Sequence, residues 1–249
     1  MTQPLAGKVA VIVGGTGGIG RASAQQLAHA GARVAVVAQS NVERAQAVVH
    51  TLPEEGHLAL AARITDSAAL ARLANEVGER LGRADILINT AGFTKAIKHA
   101  DLDALDDELI DEIFRVNWRG QFAAIRAFRP LLAASGDGLV VNVSSIAGRT
   151  GVGSNVAYCA VKAGLDVMAV SLARALAPTI RVLNVAPGVV DTEFVPGRGP
   201  DFNEKAAATT PLGRIGTPND VASAILACAT NLRFSTGVTF VVDGGRGLN

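Results

Sequence analysis

The stretch Val9-Ala-Val-Ile-Val13, followed at once by Gly14-Gly-Thr-Gly-Gly-Ile-Gly20, decides the fold. The first five residues are apolar without inside/outside alternation, the signature of a strand covered on both faces, as in a parallel sheet. The glycines lead into an Ala-rich run, Gly20–Ala30, that stops at Gly31 in the manner of a helix with a glycine C-terminus. A strand, a glycine turn and a helix in that order form a ready anion site. Glycine lets the backbone turn tightly and approach a pyrophosphate, and the helix N-terminus offers free N–H groups at its positive end. A glycine-rich turn alone is weak evidence, since many merely connect elements. Its placement at the first strand-to-helix turn favours a dinucleotide, with Gly14, Thr16, Gly17, Gly18 and Ile19 as candidate contacts.

The same alternation continues outward from this unit. Short β-branched runs recur at Arg33–Val37, Leu58–Ala62, Ile86–Ile88, Leu139–Val143, Arg181–Val185 and Thr239–Val242. Helical patterns separate them: Asn41–Leu52 ahead of Pro53, Asp66–Leu81 with Leu70, Leu73 and Val77 at helical spacing, and Asn155–Ala177 ahead of Pro178. Buried strands linked by helices, with right-handed crossovers, predict an α/β fold. The expectation is a single doubly wound parallel-sheet Rossmann domain over residues 1–249, with about seven strands and helices on both faces. Pro187–Pro218 carries five prolines and reads as a loop, so a substrate lid is expected near 188–217.

Composition removes several alternatives. The chain has 249 residues, a net charge of +1 and 4% aromatic residues. Phosphate-backbone binding needs a basic surface, so nucleic acid is not expected as a main ligand, nor an anionic membrane. Cys159 and Cys228 have no CxxC companion and the four histidines show no ligand spacing, so no metal is expected. The N-terminus lacks a basic-then-apolar secretory layout, and Val9–Val13 is far too short to span a bilayer; a cytoplasmic location is expected.

Catalytic chemistry is suggested by Tyr158-Cys-Ala-Val-Lys162, which puts a phenol and an ammonium at i and i+4 on one helix face. Tyr158 is the only tyrosine in the chain. A phenol with a pKa of ~10 carries protons poorly at neutral pH unless a neighbouring cation favours its anion. Lys162 supplies that cation, so Tyr158 could protonate a nascent alkoxide or deprotonate an alcohol. Upstream, Val141-Asn-Val-Ser-Ser145 ends a strand, where open α/β sheets bind ligands and where a hydroxyl can steady developing charge on an oxygen.

Taken together, these stretches resemble the short-chain dehydrogenase/reductase family, from Lys8 to Gly245. The glycine turn has that family's Gly-x-x-x-Gly-x-Gly spacing, with Val13 where a Thr is usual. Asn89-Thr-Ala-Gly92 stands for Asn-Asn-Ala-Gly, Pro187-Gly-Val-Val-Asp-Thr192 for Pro-Gly-x-x-x-Thr, and Val241-Val-Asp-Gly-Gly245 for the last strand and turn. The resemblance implies that Ser145, rather than Ser144, is the catalytic serine. It implies that Tyr158 is the general acid/base, that Lys162 lowers the tyrosine pKa and holds the nicotinamide ribose, and that Asn117 anchors a proton-relay water. It also puts Ile64, Asn89, Ala91, Gly92, Pro187, Gly188, Val190 and Thr192 along the cofactor.

The cofactor's second phosphate turns on the end of the second strand. NAD-binding Rossmann domains usually carry an acid there, on the ribose 2′-OH. Here the stretch is Val37-Ala-Gln-Ser-Asn41, without a carboxylate. Arg63 stands where the family usually has an Asp after strand three. Gln39, Ser40, Asn41 and Arg63, with Arg44, are therefore read as an NADP site, with NAD as the alternative; a solvated Arg63 paired with Asp66 is the rival arrangement.

The expected substrate is a small-molecule carbonyl or secondary alcohol with an apolar body, walled by Phe93, Ile146, Val152, Val190, Phe194 and Phe202. Lys95, Lys98 and Arg149 are the cations that could favour an anionic substituent. Pro211-Leu-Gly-Arg-Ile-Gly-Thr-Pro-Asn-Asp-Val221 resembles 3-oxoacyl-carrier-protein reductases, but Gly136 and Thr179 stand where carrier-docking basic residues would be expected. The reading therefore stops at ketoreductase or alcohol dehydrogenase. The resemblance implies a homotetramer, or a homodimer, built through Asp103–Ala134, Asn155–Ala177 and the last strand. Enoyl reductases of the same family separate Tyr and Lys by six residues, against three here. The rival from another class is a non-catalytic dinucleotide-binding or redox-sensing protein on the same fold.

Overall fold

The computed structural model describes residues 3–195 and 201–248. Seven strands, β1 (Val9–Val13), β2 (Arg33–Ala38), β3 (Leu58–Ala61), β4 (Ile86–Asn89), β5 (Gly138–Val143), β6 (Ile180–Pro187) and β7 (Thr239–Val242), form one sheet. Its order is β3-β2-β1-β4-β5-β6-β7, every pairing parallel, as the apolar runs required. The chain reverses its winding between β1 and β4, and the strand C-termini on either side of that switch point frame a crevice.

Helices α1 (Gly18–His29), α2 (Val42–Val49) and α9 (Pro218–Thr230) cover one face, with Leu27, Ala45 and Ile225 in a shared core with Ile12, Val36 and Ile88. On the other face α3 (Ser67–Leu81), α5 (Gln121–Ala134) and α7 (Val156–Leu176) pack Leu70, Val77, Phe128, Leu132 and Leu165 against Val11, Val37 and Leu87. Alternate residues of β1 thus enter opposite cores, which is why the strand shows no polar side. The remaining helices are α4 (Asp107–Phe114), the four-residue α6 (Ala147–Thr150) and α8 (Phe202–Ala208).

Cap chemistry sets several boundaries. Asn41, Asp66, Asp106 and Asn155 accept first-turn N–H groups of α2, α3, α4 and α7, and Thr217 with Asp220 closes a reciprocal capping box on α9. Between α4 and α5, Arg115–Gly120 adopts a π-helical turn. The expected loop Pro187–Pro218 contains α8, so the prolines bracket a helix; Pro196 and Pro200 of that stretch lie outside the described residues. α7 is the one helix among the described residues with the length and hydropathy of a membrane span, yet Leu165, Met168, Ala169 and Ala173 seat it on the sheet.

Candidate active site

The glycine turn leaves no room for side chains. A Cβ at Gly20 would lie 2.3 Å from the Gly14 carbonyl oxygen, and one at Gly14, whose φ is +85°, would lie 2.6 Å from the Ala91 nitrogen. The turn is therefore folded on itself and pressed against the loop after β4, leaving bare backbone at the head of α1. No acid sits in the first turn of that helix, so its positive end faces the crevice unneutralised. Thr192 arrives from the far side: its Cγ2 would be 2.9 Å from a Cβ on Gly18. These contacts fit a dinucleotide pyrophosphate, which needs backbone N–H groups and close approach rather than cationic side chains.

A cavity of about 590 Å³ opens beside this turn. Ile19, Thr90, Gly92, Pro187, Gly188, Val190 and Thr192 line one part of it, and Ser145, Tyr158 and Lys162 another. Ile146, Val152, Phe194 and Phe202 supply apolar wall as expected, whereas Phe93 does not line it. The main chain of Phe93 is instead held by Asn117, which donates to the Phe93 carbonyl at 2.7 Å and accepts from its N–H at 3.3 Å.

Tyr158 and Lys162 share one face of α7. Tyr158 is nearly buried, its ring tilted against Phe194 with centroids 6.1 Å apart. Lys162 is buried, donates to the Val143 carbonyl at 2.8 Å, and places Nζ 5.4 Å from the Tyr158 ring centroid. Burial pushes the Lys162 ammonium down to about 7, with Asp166 one turn away partly offsetting the effect. The two serines divide their work. Ser144 Oγ is buried and donates to the Lys162 carbonyl at 3.2 Å, bracing α7 on β5. Ser145 Oγ accepts the Ala147 N–H at 3.1 Å, which leaves its proton for another acceptor at the cavity wall.

Several expected residues also have roles in the framework of the fold. Asn89 is wholly buried and its amide donates to Asn142, which donates to Asn184, which reaches the Leu165 carbonyl and Asp166. Asn89 is thus placed in the sheet framework, not on the cavity wall, because its register opposite Asn142 starts an amide ladder. The Asn117 side chain donates to the Phe93 and Ile113 carbonyls and accepts the Phe93 N–H, which fixes the loop after β4 to the turn before α5. Ile64 packs its side chain in the core against Gly120. Of the three cations expected near the substrate only Lys98 lines the cavity; Arg149 pairs with Asp166 at 3.4 Å, and Lys95 stands outside.

Sequence reasoning passed over two residues. Gln121, fully buried, donates to the Ala91 carbonyl at 3.3 Å and so fixes the loop facing the glycine turn. Arg246, in the C-terminal tail, lines the cavity. The only available signal for it was an arginine directly after Gly244-Gly245.

At the second-strand end, Ala62 N–H bonds the Ala38 carbonyl, so Arg63 emerges beside Gln39 and Ser40, and all three are exposed. Asn41 Oδ1 caps α2 through Arg44 N–H at 2.9 Å. Asp66 caps α3 through Ala69 N–H, and no ion pair joins it to Arg63.

A parallel sheet with a bare glycine turn at its switch point, and a serine, tyrosine and lysine converging on the adjoining cavity, defines an oxidoreductase of the Rossmann class. The family described as enoyl-(acyl carrier protein) reductase matches residues 14–246. The chain belongs to the short-chain dehydrogenase/reductase family, whose members act on CH–OH donors and the corresponding carbonyls. It is 39% identical over 241 residues, 95% of each chain, to a Streptomyces violaceoruber protein named for a ketoacyl reductase of the granaticin polyketide synthase. It is 36% identical over 249 residues, 98% of each chain, to cis-4-hydroxycyclohexanecarboxylate dehydrogenase of Sinomonas cyclohexanicum. A crystal structure named as a short-chain dehydrogenase/reductase of Burkholderia xenovorans superposes with a TM-score of 0.90 at 33% identity, over 97% of this chain and 98% of that one.

Proposed function

We propose that this chain is a nicotinamide-dependent ketoreductase that interconverts a carbonyl and a secondary alcohol, with NADP(H) as the favoured cofactor and NAD(H) as the alternative. The observation that carries the reading is the meeting of Ser145, Tyr158 and the buried Lys162 on one cavity that also reaches Ile19 of the glycine turn. When bound, the cofactor supplies or takes up the hydride. Gly14, Thr16, Gly17, Gly18 and Ile19 would hold its pyrophosphate, and Ala91, Gly92, Pro187, Gly188, Val190 and Thr192 its nicotinamide half.

In the reducing direction the Ser145 hydroxyl donates to the substrate oxygen as negative charge builds on it, and Tyr158 delivers the proton that completes the alcohol. The Lys162 ammonium beside the ring makes the resulting phenolate less costly. Asn117 would anchor the proton-relay water. The decisive experiment is turnover of NADPH and NADH with a panel of ketones, β-ketoesters and secondary alcohols. An enoyl thioester serves as the counter-substrate, because the matched family bears the enoyl-reductase description while the Tyr158–Lys162 spacing argues for carbonyl chemistry. Absence of turnover with every ketone would favour the non-catalytic dinucleotide-binding reading.

Arg63 supports the choice of NADP. Asp66 is engaged at a helix cap and no carboxylate among the described residues pairs with Arg63, which leaves its exposed guanidinium suited to a ribose 2′-phosphate. Arg63→Ala is expected to raise the Michaelis constant for NADPH by about tenfold, the loss of one charge-assisted contact, and to leave that for NADH within about twofold. Equal constants before and after substitution would remove Arg63 from the site.

The reading extends to a single domain over 1–249, a lid near 188–217 that includes α8, and a homotetramer or homodimer in the cytoplasm. Val167 and Val170 are exposed on α7, and Val238 and Val241 along the unpaired edge at β7, apolar surface of the kind subunit contacts cover. Val170→Asp is expected to shift the protein to a smaller species in analytical ultracentrifugation; an unchanged sedimentation coefficient would place the interface elsewhere.

A further inference from the structure

Among the described residues, three cations and no Asp or Glu line the cavity: Lys162 at the reacting end, Lys98, and Arg246. Arg246 is held there by built structure. Asp243 accepts the N–H groups of Gly245 and Gly247 at 2.8 and 2.7 Å, and Arg246 N–H bonds the Asp243 carbonyl, so the tail turns tightly and aims Arg246 inward. One terminal nitrogen, Nη1, is clasped by the Ala206 carbonyl at 2.9 Å and Thr209 Oγ1 at 2.6 Å, at the C-terminal end of α8. No carboxylate among the described residues pairs with Arg246, and Asp243, the nearest in sequence, is engaged by the tail itself. Nε and Nη2 make no hydrogen bond to the described residues. Ile97, Ile146, Val152, Phe194 and Phe202 give the same cavity an apolar wall, and its uncharged polar side chains include Thr90, Ser145, Ser154, Tyr158 and Thr192.

A half-buried guanidinium without an acid, on an apolar wall, is stabilised by an anion supplied from outside, and its planar fork matches a carboxylate. We propose that Arg246 is a specificity-determining residue that receives a carboxylate on the substrate, separated from the reacting carbonyl by an apolar ring or chain. This rests on the ketoreductase reading above and adds the substrate's second recognition point.

The test compares 4-oxocyclohexanecarboxylate with its methyl ester as substrates for the wild type, Arg246→Met and Thr209→Val. The wild type is expected to favour the acid in kcat/KM by about 10- to 100-fold, the range of one charge-assisted contact, and Arg246→Met to bring the acid-to-ester ratio close to one, mainly through KM. Thr209→Val loosens the clasp while keeping the cation, and is expected to move both substrates together with the ratio preserved. Titration calorimetry with cyclohexanecarboxylate and cyclohexanecarboxamide gives a second readout that needs no turnover, with the acid bound more tightly by the wild type and equally by Arg246→Met. An acid-to-ester ratio that is near one in the wild type, or unchanged in Arg246→Met, overturns the proposal while leaving ketone reduction standing. Equal binding of acid and amide by the wild type also overturns it. Failure of every ketone, neutral ones included, would defeat the ketoreductase reading instead.

Discussion

Tyr158→Phe is expected to lower kcat for ketone reduction by about 10³-fold or more while leaving cofactor affinity within about twofold, because it removes the proton donor and nothing else. The ring's position does not depend on its oxygen. Asn155 caps the helix through the Tyr158 N–H at 2.7 Å, and Phe194 packs against one side of the ring. Gly153 lies against the ring edge, where a built Cβ would be 3.4 Å from Tyr158 Cδ1. Phenylalanine therefore keeps the packing, and the thermal midpoint is expected to move by no more than a few degrees. Cofactor binding by titration calorimetry and single-turnover reduction separate the two effects. A variant that retains turnover within tenfold would show that another group carries the proton. Ser145 is placed to share the substrate oxygen, and because its hydroxyl accepts from Ala147 N–H it keeps its proton for that contact.

What the chain reveals before folding depends on how local the determinant is. β1 and the glycine turn are legible because a doubly buried strand must be apolar throughout, and because a Cβ at Gly14 or Gly20 would strike backbone. Tyr158 and Lys162 are legible because helical spacing alone puts them on one face. Arg246 is not, since its role comes from α8 and the tail, some forty residues apart in sequence, meeting over the cavity. α8 itself is hidden among prolines; it is seven residues long and Asp201 makes no side-chain cap, so neither periodicity nor capping marks it. The π-turn at Arg115–Gly120 has no repeat in the sequence to announce it, and its Gly120 lies where a Cβ would come within 3.0 Å of Ile64, from a distant segment. The asparagines behave similarly. Asn89 is read as a cofactor contact by motif, and register with Asn142 and Asn184 gives its side chain a second role that the motif does not show, as one rung of a buried ladder. Motif matching assigns a residue type to a place; only the pairing of strands says which way its side chain is used.

Lys162→Met is the second substitution with a large expected effect, and it carries a pH signature that a merely structural lysine would not. Burial holds the ammonium at about 7 against 10.5 for a free lysine, although the Val143 carbonyl and the nearby Asp166 oppose the shift. Between those two values the unfolded chain binds a proton that the folded chain does not, so stability from this residue rises with pH across the window and is lowest below about 7. The methionine variant lacks that slope. Its thermal midpoint is expected to lie closest to, or above, that of the wild type near pH 6, and to fall behind by roughly 2–4 °C for each pH unit between about 7.5 and 9. Parallel melting curves for the two proteins across that range would mean that the folded protein keeps Lys162 charged. Activity gives the other half of the argument. Losing the cation beside Tyr158 is expected to lower kcat by about 10²-fold or more and to move the alkaline limb for alcohol oxidation upward, because the phenol then deprotonates without help. Lysine at this position thus carries a folding penalty at neutral pH in the free protein, and the gain it brings is realised only when Tyr158 must give up its proton.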